Sequence, residues 1–260
     1  MLGWSINLFR IRGIQLAVHA SFFLLLAYVG FTAWQAGGLI ALIFNVVMVL
    51  AFFACVVLHE LGHSFTAMHF GVGVRRILLM PIGGMAEFDA IPRQPARELL
   101  ITLAGPAVNF AIAAVLWVLI GLPADWQMFG FYDFPSTPRG VLQLLLHWNL
   151  IMGLFNLLPV FPMDGGRILR ALLATRLPYL RATHRAATIG KVLAVIAGLI
   201  AALVFHNYLT AFLFAFIYAA GDAEYRAVLR RDLEDAHWRA MAGRFYPSPP
   251  VSEEPPMLGP

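Results

Sequence analysis

The sequence predicts an all-α polytopic membrane protein with about six transmembrane helices and a short membrane-associated β-hairpin after the second. Two observations lead to this fold class. Of the 260 residues, 60% are hydrophobic and only 12% are charged, whereas soluble domains carry about 25% charged residues. Several apolar segments also approach the roughly 20 residues that a bilayer-spanning helix requires. We therefore expect a lipid bilayer to surround most of the chain.

Six apolar segments are candidate spans. A seventh apolar region, residues 75–89, consists of two short runs around Gly83 and Gly84, which is typical of a hairpin and too broken for a span. After the second segment ends at residue 58, the sequence stays mostly apolar as far as Phe70, apart from one short polar motif. The six segments are residues 14–34, 38–58, 99–122, 141–158, 186–205 and 208–221.

The last segment is short for a span, and the arginine residues support its crossing. Cytoplasmic loops collect Lys and Arg near membrane ends. With six spans only Arg139 lies on the opposite side, in a loop with Asp125 and Asp133. We therefore expect both termini to be cytoplasmic. The arginines on the cytoplasmic side are Arg10, Arg12, Arg75, Arg76, Arg93, Arg97, Arg167, Arg170, Arg176, Arg181, Arg185, Arg226, Arg230 and Arg231.

The net charge of +4 then reflects topology, and we expect no nucleic-acid partner because no basic patch is interleaved with aromatic residues. The first apolar segment is too long for a signal peptide and should stay in the protein. With one cysteine, Cys55, the chain can form no internal disulfide. Residues 167–177 are predicted to form a short amphipathic helix. Residues 1–221 are expected to form the membrane domain, and residues 222–260 a cytoplasmic charged helix with a Pro-rich disordered tail.

One motif in the second apolar segment carries chemistry: His59-Glu60-Leu61-Gly62-His63. Residues four apart share a helix face, so His59 and His63 can bind one metal while Glu60 projects beside them. Zinc lowers the pKa of a coordinated water to about 7, and Glu60 could accept its proton. The motif therefore predicts a hydrolytic zinc site.

The position of the motif makes a chance match improbable. A His-Glu-x-x-His run occurs by chance in about one chain in a hundred of this length. Here it lies inside an apolar helix, roughly 16 Å before Phe70, where unpartnered ionisable groups are costly. The alternative interpretation is a buried polar cluster that holds helices together.

A catalytic zinc usually has three protein ligands, and Asp164 is the candidate for the third. It follows Pro159 and Pro162 and precedes Gly165, so the fourth span breaks near the cytoplasmic level expected for His63. Irregular backbone at membrane depth is tolerated where it lines a water-filled cavity. The alternative is that the break simply ends a helix and that Asp164 caps the next one.

Together these motifs resemble the site-2 protease family of intramembrane metalloproteases. The resemblance rests on the His59–His63 motif and on Asn156-x-x-Pro159 with Asp164-Gly165 in a later span. The hairpin at Gly83 and Gly84, the run from Ala104 to Asn109, and the run from Gly13 to Phe22 further resemble the family's compact bacterial branch, which contains the sporulation-factor processing enzyme. The likeness covers roughly residues 5–221.

The resemblance implies a zinc metalloendopeptidase with one Zn²⁺ per chain, held by His59, His63 and Asp164. Glu60 matches the family's general base, and Asn156 matches an asparagine that helps to hold the substrate backbone or the oxyanion. Gly83 and Gly84 match the substrate-side edge, where an unwound segment adds as a strand. The implied partner is a single-pass membrane protein, cleaved in or near its transmembrane segment in regulated intramembrane proteolysis, and the implied location is the bacterial inner membrane.

The sequence departs from many relatives because it has room for neither a CBS pair after the last span nor a PDZ domain between spans. Gating would then come from the hairpin, the tail, a regulatory membrane partner or a homo-oligomer. Two rival interpretations remain. One is a membrane metalloprotease with a glutamate as third ligand, although after Glu98 the glutamates lie only at residue 224 and beyond. The other is a non-proteolytic scaffold or transporter with an incidental polar helix.

Overall fold

The computed structural model describes residues 4–89, 92–121 and 137–245, and it is mostly helical. Three helices, α1, α2 and α5, are long and apolar enough to cross a membrane by length and composition. The elements, in order, are β1 (Ser5–Ile11), β2 (Ile14–His19), α1 (Ala20–His69), β3 (Val74–Met80), β4 (Gly83–Phe88), α2 (Pro95–Ile120), α3 (Pro138–Asn156), α4 (Asp164–Ala174), α5 (Tyr179–Leu203) and α6 (Tyr208–Phe245).

Helix α1 contains most of the first predicted span and all of the second, and it is broken at Gly37 and Gly38, which have non-helical backbone angles. Gly38 has a φ of +67°, a conformation that glycine adopts at little cost. The two halves pack against each other: the rings of Phe22 and Phe53 lie 4.6 Å apart in edge-to-face contact. The 50-residue element is therefore a pair of packed helical halves.

The predicted start of the first span, at residue 14, is wrong. Residues Ile14–His19 form strand β2, and the helix begins only at Ala20, where the His19 ring accepts a hydrogen bond from the Ser21 backbone N–H. A short run of buried apolar residues has no period that distinguishes a strand from a helix. From sequence alone, β2 is therefore indistinguishable from the first turns of the helix that follows it.

The chain is consequently not purely α-helical, because it contains a four-stranded sheet in the order β1-β2-β3-β4. The predicted hairpin is present as β3 and β4, and β1 and β2 form a second hairpin, which was not predicted. Strands β2 and β3 pair in parallel and join the two hairpins. One core unites this sheet with α1: Ile14, Leu16, Val18, Phe22, Phe53, Val56, Leu61, Ile77 and Leu79.

The remaining helices follow the predicted segments closely. Helix α5 begins at Tyr179, seven residues before the predicted span, and α4 begins at Asp164, three residues before the predicted amphipathic helix. Helix α6 runs on through Gly221 and Asp222, so the expected boundary between membrane domain and charged helix falls inside one helix. The loop with Asp125 and Asp133 and the Pro-rich tail lie outside the described residues.

A buried ion cluster ties α4 to two other helices. The Arg170 side chain, 1% exposed, donates to Glu98 in α2 at 2.6 Å and to Glu224 in α6 at 2.6 Å. The Tyr179 hydroxyl lies 3.3 Å from the same Glu98 oxygen. Burial alone would raise the pKa of Glu224, but the guanidinium groups of Arg170 and Arg167 lower it below its ordinary value. The Glu224 carboxylate therefore stays ionised beside Arg170, and the cluster holds α4, the helix that carries Asp164, against α2 and α6.

We expect Arg170→Met to lower the melting temperature of the detergent-solubilised protein clearly, because it leaves Glu98 buried without its counter-ion. Removing one partner of a buried pair costs about 3–5 kcal/mol. Arg226→Met is the matched control, because that side chain is 72% exposed and pairs with Asp222 on the same helix. Such exposed pairs contribute about 0–1 kcal/mol. Equal melting shifts in the two variants would contradict this account.

Candidate metal centre

The structure brings the side chains of His59, His63 and Asp164 to one buried point. The two histidines lie one turn apart on the same face of α1, and their Nε2 atoms are 3.1 Å apart. Asp164, the first residue of α4, places Oδ2 at 3.3 Å from His59 Nε2 and 3.1 Å from His63 Nε2. These potential ligand atoms all lie within 4.8 Å of one another. Two imidazoles and one carboxylate thus converge although 101 residues separate His63 from Asp164.

Both imidazole rings are oriented by an oxygen atom at their other nitrogen. His59 Nδ1 lies 2.6 Å from Asn109 Oδ1, and His63 Nδ1 lies 2.8 Å from the carbonyl oxygen of Ile101. A carbonyl oxygen can only accept, so in each ring Nδ1 carries the proton and donates. The Nε2 lone pairs are left free to bind a metal, and such outer partners fix the tautomer and orientation of ligating histidines.

Glycine residues let the backbones approach this point. A Cβ added to Gly105 in α2 would collide with the Nε2 atoms of both His59 and His63. A Cβ on Gly62, between the two histidines, would lie 2.7 Å from the carbonyl oxygen of Ala104. Helices α1 and α2 therefore cross with almost no side chain between them, and the α2 backbone lies directly against the imidazoles.

The loop that presents Asp164 also depends on glycine. A Cβ on Gly165 would collide with the carbonyl oxygen of Leu158, and one on Gly166 would lie 2.8 Å from the backbone N of Phe161. The first turn of α4 is thus packed tightly on the irregular chain between α3 and α4. This packing brings Asp164 to the histidines, and it explains why two glycines follow the carboxylate.

Glu60 is half-buried and faces strand β4. A Cβ on Gly84 would lie 2.7 Å from Glu60 Cγ and 3.1 Å from Val56 Cγ1, so the β4 backbone passes directly over the glutamate. Gly83 has a φ of +136°, which side-chain-bearing residues rarely adopt. The hairpin edge and the glutamate are therefore brought together at the metal group.

Asn156 is the last residue of α3 and is half-buried, and its amide donates to the carbonyl oxygen of Met152 at 3.0 Å. Cys55 does not join the metal group: its sulfur accepts a hydrogen bond from Asn149 at 3.4 Å. Two residues with a part in the site, Asn109 and Asn149, were given no role from the sequence. Their signal was the presence of an amide side chain inside an apolar segment.

The residues fit a zinc ion. Two neutral imidazoles and one carboxylate match the three-ligand sets of catalytic zinc sites, and imidazole ligands disfavour magnesium and calcium. The free Nε2 lone pairs and the absence of a side chain at Gly105, where a Cβ would meet both imidazoles, agree with this donor set. A mostly helical, apolar chain with such a group has the features of a membrane-embedded metalloenzyme.

Comparison with known proteins agrees with this class. The model of Peptidase family M50 matches residues 47–131 and 133–198. A zinc metalloprotease of Methanocaldococcus jannaschii is 40% identical over 228 residues, which cover 87% of this chain and 62% of that protein. Stage IV sporulation protein FB of Bacillus subtilis is 31% identical over 131 residues, 50% of this chain and 41% of that protein.

A solved structure is similar over almost its whole length. The site-2 protease from Methanocaldococcus jannaschii has 40% sequence identity and a TM-score of 0.59, covering 85% of this chain and 95% of that one. The present chain therefore belongs to peptidase family M50, the site-2 protease family. It spans less than two thirds of the length of the curated relatives named above.

We expect Gly105→Ala to reduce the zinc bound per purified chain, because the added methyl group collides with both imidazoles. Alanine is a better helix former than glycine by up to about 1 kcal/mol, so loss of helix cannot explain a loss of metal. Gly30→Ala is the control, since a Cβ there would lie 3.7 Å from Val46 Cγ2, an ordinary contact. Metal analysis showing equal zinc in Gly105→Ala and wild type would contradict the close approach of α2.

Proposed function

We propose that this protein is a zinc-dependent intramembrane endopeptidase that hydrolyses peptide bonds in or near transmembrane segments of membrane-anchored proteins. The observation that carries the proposal is the buried group of His59, His63 and Asp164 beside Glu60, in a chain whose longest helix is apolar over most of its length. Family membership supports the same activity, because the Methanocaldococcus jannaschii relative is named a zinc metalloprotease.

In this proposal His59, His63 and Asp164 are the metal ligands and Glu60 is the general base. Bound zinc would supply Lewis acidity to the scissile carbonyl and lower the pKa of water. Glu60 accepts the proton of the attacking water and returns it to the leaving amine nitrogen, so the peptide bond breaks with one water consumed. The half-buried position of Glu60 beside β4 suits this task, because its carboxylate is near solvent and near the substrate strand.

The edge of the sheet is the proposed substrate site. Strand β4 is the last in the order β1-β2-β3-β4, so its outer edge has no strand partner within the described residues. An extended peptide can add to such an edge through backbone hydrogen bonds. A strand added beside Gly83 and Gly84 would run past Glu60. Because only an extended peptide can pair with this edge, a helical substrate would have to unwind first. Asn156, whose amide has a second hydrogen, is proposed to hold the substrate carbonyl or the oxyanion.

The proposed topology has six spans, with both termini on the cytoplasmic side of the bacterial inner membrane. The two halves of α1 count as two spans. Contacts between helices α2 and α3, such as Asn109 with Asn149 and Ile120 with Arg139, fit an antiparallel pair. Lys191 in α5 pairs with Asp222 in α6 at 3.1 Å, which fits a second such pair. Residues 222–260 are proposed to lie in the cytoplasm, where α6 continues beyond the bilayer.

The partners are proposed from the same arguments. A single-pass membrane protein is the substrate that a membrane-level β4 edge can receive from the bilayer. Arg93, on the segment between β4 and α2, pairs with Asp232 at 2.5 Å and reaches Asp235 in the cytoplasmic part of α6. Movement of the hairpin could gate the site through this contact. A regulatory membrane partner, or a second copy of the chain, could do so by binding to α6.

We expect Glu60→Gln to abolish cleavage of a co-expressed single-pass substrate while retaining zinc, because the amide keeps the shape of the carboxylate and cannot accept the proton. His59→Ala and Asp164→Ala should lose both zinc and activity. The measurements are immunoblotting of the substrate and metal analysis of the purified proteins. Undiminished cleavage by Glu60→Gln would favour the scaffold or transporter interpretation. Full zinc in Asp164→Ala would favour the metalloprotease class that uses a glutamate ligand.

The six-span topology predicts which engineered cysteines react with a membrane-impermeant maleimide in intact cells. Asn207→Cys, between α5 and α6, should react from outside. Trp238→Cys, a 68% exposed position on α6, should react only after lysis. The native Cys55 is buried and serves as the unreactive background. Labelling of Trp238→Cys in intact cells would show that α6 does not cross the membrane.

A further inference from the structure

A chain of hydrogen bonds from three helices ends on His59. Asn149 in α3 accepts a hydrogen bond from Asn109 in α2 at 3.0 Å, and Asn109 in turn faces His59 Nδ1 in α1 at 2.6 Å. Both asparagine side chains are 0% exposed. Two amides buried in apolar helices are costly unless each polar atom is partnered, so their alignment on a metal-binding imidazole is a feature of the site.

The direction of this chain is fixed at its far end. The Asn149 Nδ2 atom lies 2.8 Å from the backbone carbonyl oxygen of Leu145, which can only accept. Asn149 must therefore direct its Oδ1 towards Asn109, and Asn109 must donate a hydrogen bond to it from Nδ2. That leaves Asn109 Oδ1 facing His59, whose Nδ1 must carry the proton. A carbonyl oxygen in α3 thus determines the tautomer of a histidine in α1.

We propose that Asn109 and Asn149 are positioning residues for the metal site, and that Asn149 acts through Asn109 to keep the Nε2 lone pair of His59 directed at the metal. This inference rests on the proposed zinc site. The two ends of an asparagine amide are nearly equal in shape, so Asn109 alone could present its NH₂ group to His59. That orientation favours the wrong tautomer, with the proton on Nε2, and Asn149 excludes it.

The two histidines differ in this respect. His63 is oriented by the backbone carbonyl of Ile101, which no side-chain substitution removes. His59 depends on side chains alone. Loss of Asn149 should therefore affect His59 and leave His63 unchanged, whereas a role limited to holding helices together would affect both rings equally.

The test measures zinc affinity of the purified full-length protein by competition with a chelator. Loss of an outer partner of a ligating histidine costs 10–100-fold in metal affinity, and we expect that range for Asn109→Leu and about tenfold for Asn149→Leu. The double variant should bind no more weakly than Asn109→Leu, because Asn149 acts through Asn109. Asn45→Leu is the matched control: Asn45 also donates to the carbonyl four residues earlier, Ala41, at 2.8 Å.

A second measurement reads the histidine directly. In ¹H–¹⁵N spectra of the zinc-loaded protein, the Nδ1 proton of His59 should shift in Asn149→Leu while that of His63 stays in place. If the leucine variant does not fold, Asn149→Ala, which adds no volume, should show the same shift of the His59 Nδ1 proton. Unchanged zinc affinity in both Asn149 variants, an additive double variant, or equal shifts of both histidines would overturn the inference. Wild type that binds no zinc would instead overturn the proposed function, and the inference with it.

Discussion

The arrangement of this protein depends on one constraint, which is that a hydrophilic metal site must be built from groups buried among apolar helices. Each ligand in an apolar setting needs a partner for every polar atom, because water cannot supply one. The imidazoles of His59 and His63 satisfy this through Asn109 and the Ile101 carbonyl. The ligand group is therefore specified by α2 as much as by the elements that carry the ligands.

Close helix packing follows from the same constraint. The backbone of α2 can reach the histidine rings only where side chains are missing, which is why Gly62 and Gly105 face each other's helices. The Gly165–Gly166 pair does the same for α4. The ion cluster around Arg170 then holds α4 against α2 and α6 from the other end of the helix. The glycines therefore let the helix backbones approach the metal ligands, and the buried ion pairs of Arg170 hold α4 in a fixed orientation.

Much of the site could be predicted from sequence because its central motif is local. Two histidines four apart share a helix face whatever the tertiary fold, and the broken segment near Asp164 offers a carboxylate at the same depth. Strand β2 could not be separated from α1, since its buried apolar residues have no period of their own and its partner β3 lies about 60 residues away. The roles of Asn109 and Asn149 depend on how three helices pack, and no local pattern contains that information.

The parallel pairing of β2 with β3 has a consequence for the helix that joins them. These strands flank α1 directly, so β2, α1 and β3 form a β-α-β unit whose crossover is the broken 50-residue helix. The two strands can pair only if both halves of α1 fold back on each other at Gly37 and Gly38. Strand β4 continues the same sheet beyond β3. A straightened α1 would therefore separate β2 from β3 and divide the sheet into two independent hairpins.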